Sequence, residues 1–240
     1  MNSLWLDFTE KKKKFPSLSN DLETDVCIIG SGIFGLSCAY YLSKLGFKVT
    51  VLEKDGIGEK ATGHTTAKIT SQHNLFYDYL IHSFGKKFAS DYLEANEKAI
   101  ENIKQIIDNE KIKCDFQYQN SYVYTTDKAE LKAIKKEVAS VESLGFPCEF
   151  VTKTGLPFSI EGAICFKNQA QFHPLKYLYG LCDYISSRKG EIYTNSVVTN
   201  VEKDIDSSYI VSTPNAKVKS KYVIVASHYP FINFPRFLLC

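Results

Sequence analysis

The sequence lacks the paired cysteines that would mark a metal site or a disulfide framework. Its seven cysteines are scattered, and none belongs to a C-x-x-C pair or to a cysteine–histidine spacing typical of zinc. An odd number of scattered cysteines indicates reduced thiols, which are typical of a cytoplasmic protein. We therefore expect no metal and a cytoplasmic location.

Strong charge and long apolar runs are also absent. The 29 basic and 27 acidic residues leave a net charge of +2, which is too small to indicate a nucleic-acid partner. No apolar run approaches the roughly 20 residues of a membrane span, and Met1 to Glu10 lacks the apolar centre of a signal peptide. With 44% hydrophobic residues, the 240-residue chain can form one large or two modest domains.

A strand, a glycine-rich turn, a helix and a second strand follow one another near the start. The apolar run Asp25–Ile29 predicts a buried parallel strand, and helical spacing of apolar residues predicts a helix over Ile33–Leu45. Lys48–Leu52 predicts the next strand, which ends at Glu53. The turn reads Gly30-Ser31-Gly32-Ile33-Phe34-Gly35, a G-x-G-x-x-G pattern in the context that makes it specific for dinucleotides.

Each part of this unit has a physical role in binding a dinucleotide. Gly30 permits the tight turn, Gly32 lets backbone N–H groups approach a pyrophosphate, and Gly35 permits close packing of helix and strand. The helix N-terminus attracts the phosphates. Glu53 would accept hydrogen bonds from ribose hydroxyls and would repel a 2′-phosphate, so NADP is disfavoured.

The rest of the chain departs from a simple nicotinamide-dependent fold, which would continue with further strand–helix units. The hydroxyls and backbone donors of Ala61–Thr70 suit a flavin diphosphate, which favours FAD.

The predicted elements after Glu53 are a Gly/Thr-rich loop (56–70), a helix (about 85–109), two antiparallel strands joined around Asn120, a helix (about 128–144), a strand near 148–152, a helix from Pro174 towards Gly190, and strands at 191–194, 197–202, 209–213 and 222–226.

These elements predict an α/β fold in which a Rossmann-like FAD-binding domain carries an inserted α+β substrate domain. The predicted bounds are an N-terminal extension (1–23), a discontinuous FAD-binding domain (24–80 and 160–230), an inserted portion (81–159) and a tail (231–240).

The sequence resembles the D-amino-acid oxidase superfamily, which includes glycine oxidase and γ-glutamylputrescine oxidase. The resemblance rests on Asp25–Glu53, Ala61–Thr70, Phe172-His173-Pro174-Leu175 and Val223–Ser227. Gly63–Lys68 and Asn168–Pro174 are most similar to bacterial members with a C-terminal Rieske domain. The resemblance implies an enzyme that oxidises a small amine or amino acid by hydride transfer to flavin N5.

The resemblance also implies cofactor contacts at individual positions. Gly30, Ser31, Gly32, Ile33 and Phe34 match the pyrophosphate turn, followed by Gly35. Glu53 and Lys54 match adenosine-binding positions, and the backbone of Val198 matches the position beside the adenine. The loop beside the flavin is matched by Thr62, Gly63, Thr66, Ala67, Lys68 and Ile69, and the strand end near the cofactor by Ala226 and Ser227.

The sequence also departs from the superfamily. It has neither the later substrate-domain strands nor the final glycine-rich FAD segment, and it has no Rieske ligand set. We therefore expect a truncated N-terminal portion. Two alternatives stay open, a non-catalytic adenine-dinucleotide-binding fragment and an NAD-dependent dehydrogenase.

Several other side chains are candidates without an assigned catalytic role. His64, Lys68 and His73 could line the flavin ring, or they could face solvent or a phosphate. His173, before Pro174, is expected to cap a helix. The remaining candidates are Tyr118, Tyr122 and Tyr124, which could face a substrate or fill a core, and the unassigned His228 and Tyr229.

Overall fold

The computed structural model describes residues 3–9 and 13–227, which form two compact units. The first unit contains the described residues up to Thr66, residues 112–114 and the described residues from His173 onward. The second contains Ala67–Lys111 and Asp115–Phe172. In the sequence, the second unit therefore lies between the two main parts of the first unit.

The described residues form strands and helices with the following bounds. The strands are β1 (Leu22–Ile29), β2 (Val49–Leu52), β3 (Lys68–Ile69), β4 (Gln117–Thr125), β5 (Cys148–Val151), β6 (Gly162–Gln171), β7 (Glu191–Tyr193), β8 (Asn200–Lys203), β9 (Tyr209–Ser212) and β10 (Lys217–Val225). The helices are α1 (Leu4–Asp7), α2 (Ile33–Lys44), α3 (Tyr77–Phe84), α4 (Lys86–Asn109), α5 (Leu131–Ser143) and α6 (Pro174–Ser187), with 3₁₀ turns at Thr62–His64 and Lys128–Glu130.

A mixed sheet in the order β7-β2-β1-β10-β9-β8 forms the centre of the first unit. β7, β2, β1 and β10 are parallel, and β9 and β8 continue the sheet in antiparallel pairing. Val26 of β1 pairs with Val49 on one side and Tyr222 on the other. Because β1 has a neighbour on both edges, its apolar run is buried, as expected for the central strand of a parallel sheet.

Two helices of the first unit, α2 and α6, pack against each other. The rings of Tyr40 and Tyr184 lie 4.5 Å apart at this contact. Pro174 occupies the first turn of α6, where its missing N–H costs no hydrogen bond. Cys27, Ile29 and Val218 pack in an apolar cluster that also includes Leu18.

A second sheet and three helices form the other unit. β6 is its central strand, pairing with β4 along one edge and with β3 and β5 on the other, always antiparallel. Helices α3, α4 and α5 contribute to one apolar core with Ile164 and Phe166 of β6. No helix among residues 3–9 and 13–227 combines the length and the apolar character that crossing a membrane requires.

The predicted hairpin around Asn120 is wrong. Residues 117–125 form one continuous strand, β4, that runs past Asn120 along β6. Gln119 pairs with Gln169 and Ser121 pairs with Phe166, so two residues of β6 lie opposite the single residue Asn120. Asn168 has a φ of +56°, so the irregularity that Asn120 suggested is a bulge in the partner strand.

Most other elements lie where the sequence predicts them, and four have no predicted counterpart. The helices predicted over 33–45, 85–109 and 128–144 correspond to α2, α4 and the 3₁₀ turn followed by α5. The strands β3 and β6 and the helices α1 and α3 are not among the predicted elements. The unit boundaries fall after Thr66 and Phe172 rather than near residues 80 and 160, because β3 pairs with the far end of β6.

Candidate dinucleotide-binding site

A cavity of about 910 Å³ opens in the first unit at the carboxyl ends of β1, β2 and β10. Ligands of open α/β sheets bind in this position, beyond the ends of the parallel strands. The lining residues are Ile29, Gly30, Ser31, Gly32, Ile33, Phe34, Leu52, Glu53, Lys54, Gly58, Glu59, Lys60, Ala61, Thr62, His64, Ser196, Val197, Val198, Ala226 and Ser227.

The glycine-rich turn is built as the sequence pattern requires. Gly30 has a φ of +112°, and a Cβ on it would lie 2.7 Å from the carbonyl oxygen of Ala226. A Cβ on Gly35 would lie only 2.0 Å from the carbonyl oxygen of Gly30. Both positions therefore need glycine, because α2 begins in close contact with the ends of β1 and β10.

The N-terminus of α2 faces the cavity and fits an anion. Gly32 is the N-cap residue and supplies no side chain, and the first turn of α2 contains no acidic residue. A Cβ on Gly32 would lie 3.3 Å from Oγ1 of Thr62, and this Oγ1 accepts a hydrogen bond from the Ile33 N–H at 3.3 Å. The positive end of the helix dipole is thus available to a phosphate.

Glu53 lies at the end of β2 with its carboxylate fixed against the glycine-rich turn. Its Oε2 accepts hydrogen bonds from the backbone N–H of Ser31 at 2.9 Å and from Ser31 Oγ at 2.8 Å. Its Oε1 accepts one from the Asp55 N–H at 3.0 Å. These bonds hold the acid at one edge of the cavity, where a ribose hydroxyl could reach it.

The opposite wall comes from the connection between β7 and β8. The Ser196 N–H donates to the carbonyl oxygen of Glu53 at 2.8 Å, which ties this connection to the end of β2. Val197 is 43% exposed and Val198 is largely buried. These two apolar side chains suit the flat face of an adenine.

The cavity brings together most of the predicted cofactor residues, but not all of them. Those in its lining are Gly30, Ser31, Gly32, Ile33, Phe34, Glu53, Lys54, Thr62, Val198, Ala226 and Ser227. Gly35, Gly63 and Thr66 belong to the first unit outside the lining, whereas Ala67, Lys68 and Ile69 belong to the second unit.

Some lining residues are not among the individual cofactor positions predicted from the sequence. Gly58, Glu59, Lys60 and Ala61 form the near part of the loop after β2, and Ser196 and Val197 precede Val198. Gly58 has a φ of +65°, and the Gly-Ile-Gly sequence at 56–58 was an available signal for a tight turn. Nothing local in the sequence distinguishes Ser196 from other loop serines.

The candidate histidines lie in different environments. His64 lines the cavity, and its Nδ1 donates to the Lys60 carbonyl oxygen at 2.8 Å. His73 belongs to the second unit, and burial, with Lys68 as a smaller cause, lowers its pKa. His173 is the N-cap of α6, where its Nδ1 accepts from the Lys176 N–H at 3.4 Å, which confirms the predicted capping role.

The tyrosine candidates are exposed side chains of β4 in the second unit rather than core residues. Tyr118, Tyr122 and Tyr124 are 52%, 39% and 44% exposed. His228 and Tyr229 lie outside the described residues.

Comparison with known proteins decides the family. The family model described as DAO, FAD dependent oxidoreductase, matches residues 25–231. The chain belongs to this family. The DAO family membership confirms the resemblance stated from the sequence and disfavours an NAD-dependent dehydrogenase, and FAD is the family's cofactor.

Individual DAO family relatives agree with this assignment. The chain is 39% identical over 217 residues to a protein of Bacillus subtilis (strain 168) named as a Rieske 2Fe-2S iron–sulfur protein, YhfW, covering 90% of this chain and 42% of YhfW. It is 27% identical to the γ-glutamylputrescine oxidoreductase of Escherichia coli (strain K12), covering 95% of this chain and 54% of the relative. The chain thus spans about half the length of these relatives.

Solved structures of DAO-type fold match as well. Glycine oxidase from Geobacillus kaustophilus superposes with a TM-score of 0.70 at 17% identity, covering 85% of this chain and 55% of that one. L-proline dehydrogenase from P. horikoshii gives a TM-score of 0.71 at 18% identity, covering 89% and 54%. At these identities the match supports the predicted Rossmann-like fold.

Proposed function

We propose that this chain provides the FAD-binding part of an oxidoreductase that removes hydride from the carbon beside an amine in a small amine or amino acid. The observation that carries the proposal is the cavity itself, in which a bare helix N-terminus and a fixed carboxylate lie in one lining. These are the two features that an adenine dinucleotide needs.

The lining suggests how the cofactor would be held. The turn Gly30–Phe34 would hold the pyrophosphate, because only hydrogen atoms occupy the position of a Cβ at Gly32. The Gly32 and Phe34 N–H groups would donate to it, since those of Gly30, Ser31 and Ile33 donate to Leu52, Glu53 and Thr62. Glu53 would accept hydrogen bonds from the ribose hydroxyls, with Lys54 beside it, and Val198 would contact the adenine. Ala226 and Ser227 would lie near the cofactor at the end of β10.

The loop that begins at Thr62 is assigned to the flavin end of the cofactor. Thr62 lines the cavity and has its hydroxyl bonded to the Ile33 N–H. Gly63 and Thr66 continue from it within the first unit, and we assign them to the flavin end. For Ala67, Lys68 and Ile69 a place beside the flavin stays a prediction from the sequence. When bound, FAD supplies the hydride acceptor at flavin N5, and the protein contributes orientation and electrostatics.

The substrate class comes from the relatives' names. γ-Glutamylputrescine oxidoreductase, glycine oxidase and L-amino acid deaminase are all named for compounds that carry an amine. Oxidation beside the nitrogen would give an imine that water hydrolyses. We assign the protein to the cytoplasm because the six cysteines among the described residues are free thiols, several of them buried.

The test is the visible absorbance spectrum of the purified chain before and after addition of FAD. We expect protein-bound flavin absorbance and its loss under anaerobic conditions on addition of an amine or amino acid from a panel. Tight binding of a nicotinamide dinucleotide without flavin would contradict the proposal. Flavin binding without reduction by any panel member would favour the non-catalytic fragment.

A further inference from the structure

We propose that the N-terminal segment, defined as residues 3–9 and 13–18, positions both walls of the cavity for FAD, and that Trp5 is its main positioning residue. The inference rests on the proposed function, because it concerns how tightly the same cavity binds FAD. It assigns a role to residues that come before the dinucleotide-binding motif and do not line the cavity.

The first attachment is to the 3₁₀ turn Thr62–His64 and the residue after it. Trp5 in α1 donates its Nε1–H to the carbonyl oxygen of Thr65 at 2.7 Å. Ser3 donates its hydroxyl to the carbonyl oxygen of Gly63. Trp5 of α1 and the N-cap residue Ser3 thus hold the carbonyl groups of Thr65 and Gly63. The side chain of Thr62, in the same 3₁₀ turn as Gly63, bonds to the N-terminus of α2.

The packing around Gly63 makes this attachment specific. A Cβ on Gly63 would lie 2.6 Å from the Gly58 carbonyl oxygen and 3.5 Å from Cδ2 of Leu6. The turn therefore lies close between the loop after β2 and α1. Since a peptide's carbonyl and N–H share one plane, fixing the carbonyl directions also fixes the direction of the N–H groups.

Trp5 is itself held on a rigid element. Its ring meets the His173 ring edge-on, with centroids 5.1 Å apart and an interplanar angle of 64°. His173 is the N-cap of α6. The indole therefore connects the turn to the start of a well-packed helix rather than to a free chain end.

The second attachment is to the opposite wall. The Leu18 N–H donates to Ser196 Oγ at 2.9 Å, and the Thr194 N–H donates to the Pro16 carbonyl oxygen at 3.0 Å. Leu18 is 2% exposed and packs in the same apolar cluster as Val198. Ser196 and Val198 both line the cavity, so the segment contacts both of its walls.

These contacts should raise the affinity for FAD, because they order the cavity walls before FAD binds. A loop that is already ordered loses less conformational entropy when the ligand binds. The segment would therefore affect the affinity for FAD without touching it.

The test compares Trp5→Phe with Phe8→Leu. Trp5→Phe keeps an aromatic ring and removes the N–H donor to Thr65, whereas Phe8 is 71% exposed and serves as a control in the same segment. We expect Trp5→Phe to raise the dissociation constant for FAD about five- to tenfold. We also expect faster amide hydrogen exchange in residues 61–66, with unchanged exchange in β1, and parent behaviour in Phe8→Leu.

Ser3→Ala provides a second variant that removes the other donor, to Gly63, and should act in the same direction. Parent affinity and parent exchange in residues 61–66 for both Trp5→Phe and Ser3→Ala would overturn the positioning role. A parent chain that does not bind FAD would instead overturn the proposed function. The exchange of residues 61–66 would then still decide, independently, whether Trp5 orders the loop.

Discussion

Glu53 shows how one residue can prepare a binding site before the ligand is present. Its carboxylate accepts two hydrogen bonds from Ser31 and one from the Asp55 N–H. Three hydrogen bonds to its two oxygens fix the orientation of the side chain. The acid predicted from its place after β2 is therefore oriented by the turn that it is expected to assist.

Replacement of Glu53 by glutamine should weaken FAD binding by about 10- to 100-fold, because a hydrogen bond to a charged group is worth about 1.5–3 kcal/mol. The measurement is a fluorescence titration with FAD. Glu202→Gln, an exposed acid on β8 away from the cavity, is the control and should bind as the parent does. Unchanged affinity for FAD in Glu53→Gln would show that Glu53 does not bind the cofactor.

At the scale of the element, β1 and β10 are joined by an ion pair beside their parallel pairing. Asp25 lies 2.7 Å from Lys221 Nζ and accepts a hydrogen bond from the Lys48 N–H at 2.9 Å. Lys221 first, and then the Lys48 N–H, lower the pKa of Asp25 below its ordinary value. The folded state therefore binds this proton less tightly than the unfolded chain does.

The stability contributed by Asp25 should thus be fully present above the ordinary aspartate pKa of about 3.8 and be lost as the pH falls through the lower folded value. Urea unfolding of parent and Asp25→Asn at several pH values tests this. The difference at neutral pH should stay below about 1 kcal/mol, because Lys221 is exposed and solvent screens the pair. A difference that grows on acidification would contradict this assignment.

Helix α3 begins on a buried carboxylate from another helix. Glu137 of α5 is 2% exposed and accepts the backbone N–H groups of Phe76, Tyr77 and Asp78 at 2.7, 2.7 and 2.9 Å. These N–H groups belong to the N-cap residue Phe76 and the first two residues of α3, for which the helix has no acceptors.

Glu137→Ala should therefore lower the free energy of unfolding by about 3 kcal/mol, since the buried N–H of Tyr77 and the part-buried N–H groups of Phe76 and Asp78 lose their acceptor. Glu142→Ala, on the exposed face of the same helix, should change it by less than about 0.5 kcal/mol. Urea unfolding followed by circular dichroism measures both. Equal effects of the two substitutions would show that Glu137 is not the cap.

The elements also show which parts of the fold were predictable. α2, β1 and β2 were predictable because each has a clear apolar period and the glycines fix the turn between them. β6 was not, because pairing on both edges buries Gly162–Phe166 without an alternating pattern, and its polar residues Lys167–Gln169 contain the bulge. Asn120 alone suggests a turn, because the bulge that explains its position lies in β6, far from Asn120 in the sequence.

At the scale of the whole molecule, the cavity depends on distant parts of the chain. Residues 29–64 supply one part of its lining, and residues 196–198 and 226–227 supply the other. Most of the chain between them, Ala67–Lys111 and Asp115–Phe172, forms the second unit. The glycine motif and the acid were therefore predictable from one short stretch, whereas Ser196 and Val197 reach the site only through the tertiary fold.

FAD binding should accordingly stabilise the two separated parts of the first unit against unfolding together. A ligand at 100 times its dissociation constant stabilises the binding-competent state by about 2.7 kcal/mol. Both parts are stabilised only if FAD contacts the lining residues from both, rather than the glycine motif alone.

The most direct test of the account is a calorimetric titration of FAD into the parent chain and Gly32→Val. Gly32 has an extended backbone that valine can adopt, with φ of −73° and ψ of −178°, so the variant should fold. We predict saturable binding to the parent and an affinity at least about a hundredfold weaker in the variant, because its side chain fills the space for the pyrophosphate. Equal affinity of the two proteins for FAD would contradict the account.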